Sequence, residues 1–358
     1  MSRVLLTASA LALAFLYSAP LRAQQYGESS AATPVLELHS GFWINLHHFL
    51  YLEARLRKAS AEPADREFQA RQEYTSSPPA GDLTSAEQAA WSAALDAYTR
   101  DWSERDLLHN GDMAIVNNRL SELENCADIS VKGPLQCVPG LRADLVAALE
   151  EAAPVYRAHW WPQQNSENRA WMAAVTPLVR SMGSDLATRL AAIYQHPWPA
   201  GRLRVDVVWY AGPEGSYTLL DPVHITIASH DSRNQGLAAF EMLFHEASHT
   251  LADGVNTAIE RHCRDLDKPI PRDLWHALLF YTTGELVRRE VAHSPDLAGT
   301  ADTDGAASPG GYTPYAIRNG LYDHGWNGYD MALEHFWQPY LDGAVDFDTA
   351  IAHIINAL

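Results

Sequence analysis

Apolar residues recur at helical spacing through most of the first half of the chain. They form one helical face from Gly41 to Lys58, and the capping-box sequence Thr84-Ser85-Ala86-Glu87 predicts a second helix that runs towards Leu107. Further helices are predicted at about 112–125, 141–158, 167–181 and 183–195. His47 and His48 lie in the first helix, where neighbouring residues diverge by about 100°, so they are expected to be structural histidines that share no ligand.

The pattern changes after residue 197. Arg204–Tyr210 and His224–Ala228 are rich in β-branched residues and partly alternate, which predicts two strands. Helical spacing returns at Gln235–Leu251 and again at Asp273–Val291. The expected fold class is therefore α+β and mostly helical, with a helical N-terminal part and a core that contains a small β-sheet.

The first 23 residues have the features of a secretory signal peptide. Arg3 supplies a positive charge, Val4–Ala19 is apolar, and Ala23 provides a small residue at the cleavage position. This apolar stretch is short for a membrane span, which needs about 20 residues. We therefore expect an exported protein, periplasmic or secreted, with no membrane span after cleavage. The predicted organisation is a signal peptide at 1–23, a helical region at 24–196 and a core at 197–358.

Composition and charge narrow the range of partners. The chain has 358 residues, of which 47% are hydrophobic and 20% charged, and its formal net charge is −18. That charge repels nucleic acids and anionic membranes, so neither is an expected partner. Cys126 and Cys137 enclose a short loop and could form a disulfide in an oxidising compartment, which leaves Cys263 single. The oligomeric state is left open.

The most informative segment is His245-Glu246-Ala247-Ser248-His249. Two histidines four residues apart lie on one side of a helix, where their neutral imidazoles can take two of the four positions around a zinc ion. Glu246 is placed to act as a general base towards a water molecule at that ion. A random chain of this composition would contain such a His-Glu-x-x-His pattern about 0.04 times.

These residues resemble the active-site helix of the zincin metallopeptidases. The resemblance implies a zinc-dependent hydrolase of peptide or protein substrates. It also implies that the preceding strand, His224–Ala228, is the edge strand on which an extended substrate lies. A metzincin would have Gly and His where this chain has Ala252 and Val255, so that subclass is excluded.

The third zinc ligand is expected to come from a following helix, as in gluzincins. Glu285 is the preferred candidate because it lies in an apolar helical pattern, where a carboxylate needs a compensating partner. Glu260 and Asp302 remain as alternatives. Tyr315, in the segment Gly-Tyr-Thr-Pro-Tyr, is the preferred donor to the oxyanion that forms during peptide hydrolysis.

The sequence thus predicts a zinc metallopeptidase in which His245, His249 and Glu285 bind Zn²⁺ and Glu246 is the general base. Two other functions stay open. One is a zinc amidase of another class, such as one that acts on cell-wall peptides, and the other is a zincin-like binding module without catalysis. Retention of Glu246 favours an enzyme, since a binding module needs no general base.

Overall fold

The computed structural model describes residues 35–61, 83–130, 135–294 and 311–358, all of which belong to one compact unit. The predicted signal peptide lies outside the described residues. The boundary predicted between residues 196 and 197 falls inside this compact unit. The predicted α+β, mostly helical fold class is confirmed.

Five long helices dominate the first half. The helices are α1 (Phe42–Ala61), α2 (Ser85–Asp101), α3 (Gly111–Glu122), α4 (Ala143–His159) and α5 (Trp161–Ile193). The predicted capping box is confirmed, because the Thr84 hydroxyl accepts from the Glu87 amide and the Glu87 carboxylate accepts from the Thr84 amide. The two helices predicted at 167–181 and 183–195 are one continuous helix, in which Gly183 packs closely against Phe244.

Four strands form one mixed sheet. They are β1 (Leu36–His39), β2 (Leu203–Val208), β3 (Ser216–Leu220) and β4 (Val223–Ala228). The order is β1-β2-β4-β3, with only β3 antiparallel to its neighbour. The sequence pattern predicts β2 and β4 but not β1 or β3. Because β1 comes from the N-terminal part and pairs with β2, that part and the predicted core share this sheet.

The sheet separates two hydrophobic cores. Alternate side chains of one strand point to opposite faces, so Val207 joins one core and Val208 the other. The first core packs α5 and the helices of the second half against the sheet. The second core packs α1 to α4 against its other face. Tyr217 and Leu219 of β3 belong to this second core.

The described chain after β4 consists of helices around α6, which carries the His-Glu-x-x-His sequence. They are α6 (Gly236–Ser248), a 3₁₀ turn (His249–Leu251), α7 (Asp253–Asp265), α8 (Leu274–His293), α9 (Tyr315–Arg318), a second 3₁₀ turn (Leu321–Asp323), α10 (Tyr329–Ala332), a π-helical turn (Leu333–Trp337), α11 (Gln338–Leu341) and α12 (Phe347–Ala357). Among the described helices, none is long and apolar enough to cross a membrane. Cys126 and Cys137 form a disulfide, and Cys263 is a buried free thiol.

Candidate metal centre

Helix α6 lies inside the first core. Every residue from Leu237 to Ser248 is buried, because the helix packs against α5, α8 and the sheet. Such a helix is apolar on most sides, so the polar residues His245 and Glu246 require partners in the interior. The helix continues into the 3₁₀ turn at His249, whose side chain retains 18% exposure. The site is therefore built in the core but opens at one end.

Three histidines converge at this open end. His245 and His249 are joined by His276 from the first turn of α8, and one ring nitrogen from each lies within 4.8 Å of the others. The Nε2 atoms of His245 and His276 are 3.1 Å apart. Two nitrogens bound to one tetrahedral zinc ion lie about 3.3 Å apart, so this spacing fits a shared metal. We call these three residues the histidine cluster.

The pKa values of the three imidazoles in the histidine cluster are lowered, which favours the neutral form that binds a cation. Burial lowers the pKa of His249 to about 4 and, together with the neighbouring His249, lowers that of His276 to about 3. The pKa of His245 lies well below its usual value for the same reasons, burial first. The three imidazoles are therefore neutral near pH 7 and present lone pairs, which is the form that binds metals.

Glu246 lies next to the cluster, held by strand β3. The hydroxyls of Ser216 and Thr218 each donate a 2.7 Å hydrogen bond to its carboxylate. Oε2 of Glu246 is 3.9 Å from Nε2 of His249. Burial raises the pKa of Glu246 to about 7, although the two hydroxyl hydrogen bonds oppose the rise. A carboxyl group with this pKa can both accept and release a proton near neutral pH.

Aromatic rings surround the cluster. Phe280, one turn after His276 on α8, stacks on the His245 ring with centroids 3.6 Å apart. Trp275 stacks on His276 at 5.0 Å, and Trp326 meets the same imidazole edge-on at 5.5 Å. These rings restrict the rotamers of the imidazoles and exclude water from one side of them. The cluster is thus preorganised by packing.

The structure does not bring Glu285 to the histidine cluster. Glu285 lies nine residues after His276 on α8, which corresponds to about 13 Å along the axis and the opposite helix face. Its carboxylate accepts hydrogen bonds from Arg288 and Arg289 at 2.6–2.8 Å. Burial raises the pKa of Glu285, but the two guanidinium groups outweigh it and hold the pKa below its usual value. The compensating partner that a buried carboxylate requires is thus a pair of arginines.

Tyr315 lies one ring away from the cluster. It is buried, and its ring stacks on Phe280 with centroids 5.8 Å apart and planes inclined by 17°. Its backbone amide donates to Glu241. Among the described residues, none forms a hydrogen bond with the Tyr315 hydroxyl, which leaves that group available to a ligand.

Three further expectations are changed by the structure or lie outside it. Strand β4 (Val223–Ala228) is not an edge strand, because it pairs with β2 on one side and β3 on the other. The strand beside α6 with no second partner among the described residues is β3. Glu260 is exposed on α7 and does not belong to the histidine cluster. Asp302 lies outside the described residues.

His276 is the residue that the sequence pattern did not reveal. It is the one polar residue in the apolar stretch Leu274–Tyr281, and that isolation is the signal that could have marked it. The same reasoning drew attention to Glu285 later in the same helix. Without the packing of α8 against α6, the pattern contains nothing that separates the two candidates.

Comparisons with known proteins identify no relative. No protein-family model matches the chain, and neither curated proteins nor solved structures give a significant match. The functional interpretation therefore depends on the geometry of the site.

Proposed function

We propose that this protein is an exported zinc-dependent metallopeptidase whose zinc ligands are His245, His249 and His276. The observation that carries the proposal is the convergence of three neutral imidazoles beside Glu246, a buried carboxylate. Three protein ligands with a fourth position left for water are typical of catalytic zinc centres, and three histidines are one such ligand set. In the proposed site, His276 would take the place of the carboxylate ligand of a gluzincin.

Peptides are the favoured substrates because of strand β3. Its side chains Ser216 and Thr218 contact Glu246, so its backbone passes directly beside the site. Among the described strands, β3 pairs only with β4, so its outer edge has no strand partner. An extended peptide can add to such an edge through main-chain hydrogen bonds and place its own carbonyl groups near the cluster.

Each side chain has a defined role in this proposal. Zinc, when bound, supplies Lewis acidity towards a water molecule and a peptide carbonyl. Glu246 takes a proton from the attacking water and delivers it to the leaving amine, while Ser216 and Thr218 hold its carboxylate in position. The Tyr315 hydroxyl donates a hydrogen bond to the developing oxyanion.

Export is part of the same proposal. The N-terminal sequence has signal-peptide features, and the Cys126–Cys137 disulfide is of the kind that persists in oxidising compartments. The mature protein is expected to begin near Gln24.

The test combines metal content with product analysis. The mature protein, dialysed and measured by elemental analysis, should hold one zinc per chain and cleave members of a random peptide library, with new peptide termini identified by mass spectrometry. Glu246→Gln should retain zinc and lose about 10²–10⁴-fold in kcat. Products from non-peptide amides alone would indicate an amidase. Zinc without any hydrolysis would indicate a binding module, and a wild type that cannot take up zinc would refute the proposal.

A further inference from the structure

Glu241 is a fully buried carboxylate that the proposed chemistry does not use. It lies on α6 one turn before His245 and has no solvent exposure. Its Oε2 accepts a 2.6 Å hydrogen bond from the Tyr312 hydroxyl, and both carboxylate oxygens lie 3.0–3.1 Å from the Tyr315 amide. A buried carboxyl group is costly unless it is hydrogen-bonded, and Tyr312 and Tyr315 supply those hydrogen bonds.

The backbone of α8 packs closely against the Glu241 carboxylate and the segment that contains Tyr312 and Tyr315. Gly284 of α8 faces the carboxylate, and a Cβ atom at that position would lie 2.9 Å from Oε1 of Glu241 and 2.6 Å from Cβ of Pro314. Side-chain atoms essentially never approach so closely, so residue 284 has to be glycine for α6, α8 and the chain at 312–315 to meet. Three segments are therefore fixed against one carboxylate.

This carboxylate is connected to the histidine cluster through Tyr315. Glu241 holds the Tyr315 amide, the Tyr315 ring stacks on Phe280, and Phe280 stacks on His245. The amide is that of the first residue of α9, which follows Pro314. Fixing this amide thus fixes the position from which the Tyr315 side chain reaches towards the site.

We propose that Glu241 is a positioning residue that anchors the main chain of Tyr315, so that the Tyr315 ring and hydroxyl are held beside the histidine cluster. This inference rests on the proposed function, in which Tyr315 donates to the oxyanion. A carboxylate suits the task because its oxygens can accept from the Tyr312 hydroxyl and the Tyr315 amide at the same time.

A double-mutant cycle tests this role on the zinc-loaded, full mature chain. Glu241→Leu should lower kcat by about 10–100-fold with KM changed by less than about 3-fold, and zinc content should stay at one per chain. In a Tyr315→Phe background, the same substitution should cost less than about 3-fold, because the group that Glu241 positions is already lost. Losses in kcat that multiply would overturn the proposal.

Two additional variants keep the test decisive. If Glu241→Leu does not fold, Glu241→Gln retains one acceptor and should show a smaller loss of kcat with the same dependence on Tyr315. Tyr312→Phe removes one donor but leaves the contact with the Tyr315 amide, so it should lose less kcat than Glu241→Leu, which removes both contacts. An equal or larger loss for Tyr312→Phe would assign the role to the Tyr312 contact and overturn the proposal.

A readout without catalysis separates this inference from the proposed function. Amide hydrogen exchange followed by mass spectrometry should become faster at residues 311–318 in the Glu241 variants and stay unchanged in α1 to α4. Unchanged exchange at 311–318 would overturn the anchoring role. A wild type that neither binds zinc nor cleaves peptides would refute the proposed function instead, whatever the exchange data show.

Discussion

The protein contains two groups of adjacent histidine rings, and they differ in how the rings are directed. In the histidine cluster the ring nitrogens converge on one point. In α1, His47 and His48 are fully buried with rings 5.4 Å apart, but each has its own partner. Nδ1 of His47 lies 2.9 Å from the Tyr98 hydroxyl, and Nε2 of His48 lies 2.9 Å from the Tyr217 hydroxyl.

This comparison shows which property defines a metal site. Burial lowers the pKa of His47 to about 3, much as it does for His276, so neutral imidazoles alone do not distinguish the two groups. The distinction is angular. Residues four apart on a helix diverge by about 40° and can share a ligand, whereas adjacent residues diverge by about 100° and cannot.

The largest expected effect concerns zinc binding by the two groups. His276→Ala should weaken zinc binding at least about 100-fold, because one of the three proposed protein ligands is removed. His47→Phe and Glu285→Ala should each retain one zinc per chain. Elemental analysis after dialysis and competition with a chelator measure both the stoichiometry and the affinity.

His276→Ala and Glu285→Ala change two residues of the same helix, α8, so their zinc contents can be compared directly. If Glu285→Ala lost zinc and His276→Ala kept it, the ligand assignment drawn from the geometry would be refuted and the assignment drawn from the sequence pattern restored. Glu285→Ala is expected to lose stability instead, since it leaves Arg288 and Arg289 without their shared carboxylate.

Strand β3 connects the two histidine groups, because its alternate residues face opposite sides of the sheet. Ser216 and Thr218 bind Glu246 on one side, while Tyr217 contacts His48 on the other. This alternation is the simple period of a strand, yet the sequence pattern did not predict β3. Gly212 and Gly215 suggest a turn across this region, and only the pairing with β4 reveals five residues of strand.

A moderate effect is expected when the support of Glu246 is removed. Ser216→Ala combined with Thr218→Val keeps the shape of the strand but removes both hydroxyl donors to the carboxylate. We expect kcat to fall by about 10-fold with zinc retained, since the general base loses its orientation. Tyr217→Phe, on the other face of the same strand, is the matched control and should change kcat by less than about 2-fold.

Measuring kcat of these variants with one cleavable peptide tests whether the hydroxyls of β3 orient Glu246. Equal losses for the double variant and for Tyr217→Phe would show that β3 contributes only stability. The role of its hydroxyls in holding Glu246 would then be refuted.

The sequence predicts correctly those features that depend on helical spacing over a few neighbouring residues. The shared face of His245 and His249, the position of Glu246 and the capping box at Thr84 all follow from helical geometry over a few residues. The third histidine does not, because His276 reaches the cluster only through the packing of α8 on α6. Strand β1 was missed for a similar reason: its four residues become a strand by pairing with β2, which lies far away in sequence.

The last expected effect is the dependence of stability on pH that the α1 histidines cause. In the unfolded chain His47 titrates near its usual value of 6.5, whereas in the fold its pKa is about 3. As the pH falls below about 6.5, the unfolded chain gains a proton that the folded chain does not bind. The free energy of unfolding therefore decreases, by up to about 1.4 kcal/mol per pH unit for this one group.

Replacing His47 by Phe tests this dependence. At pH 7.5 the variant should lose about 1 kcal/mol with the hydrogen bond to Tyr98, but its stability should decline less steeply than that of the wild type between pH 6.5 and pH 4.5. Urea unfolding at several pH values, with a chelator present so that zinc does not contribute, measures both slopes. Equal slopes would mean that His47 is protonated in the folded protein, which would place water or a counter-charge beside its ring. The two histidine groups would then differ in the solvation of their rings as well as in the directions of their ring nitrogens.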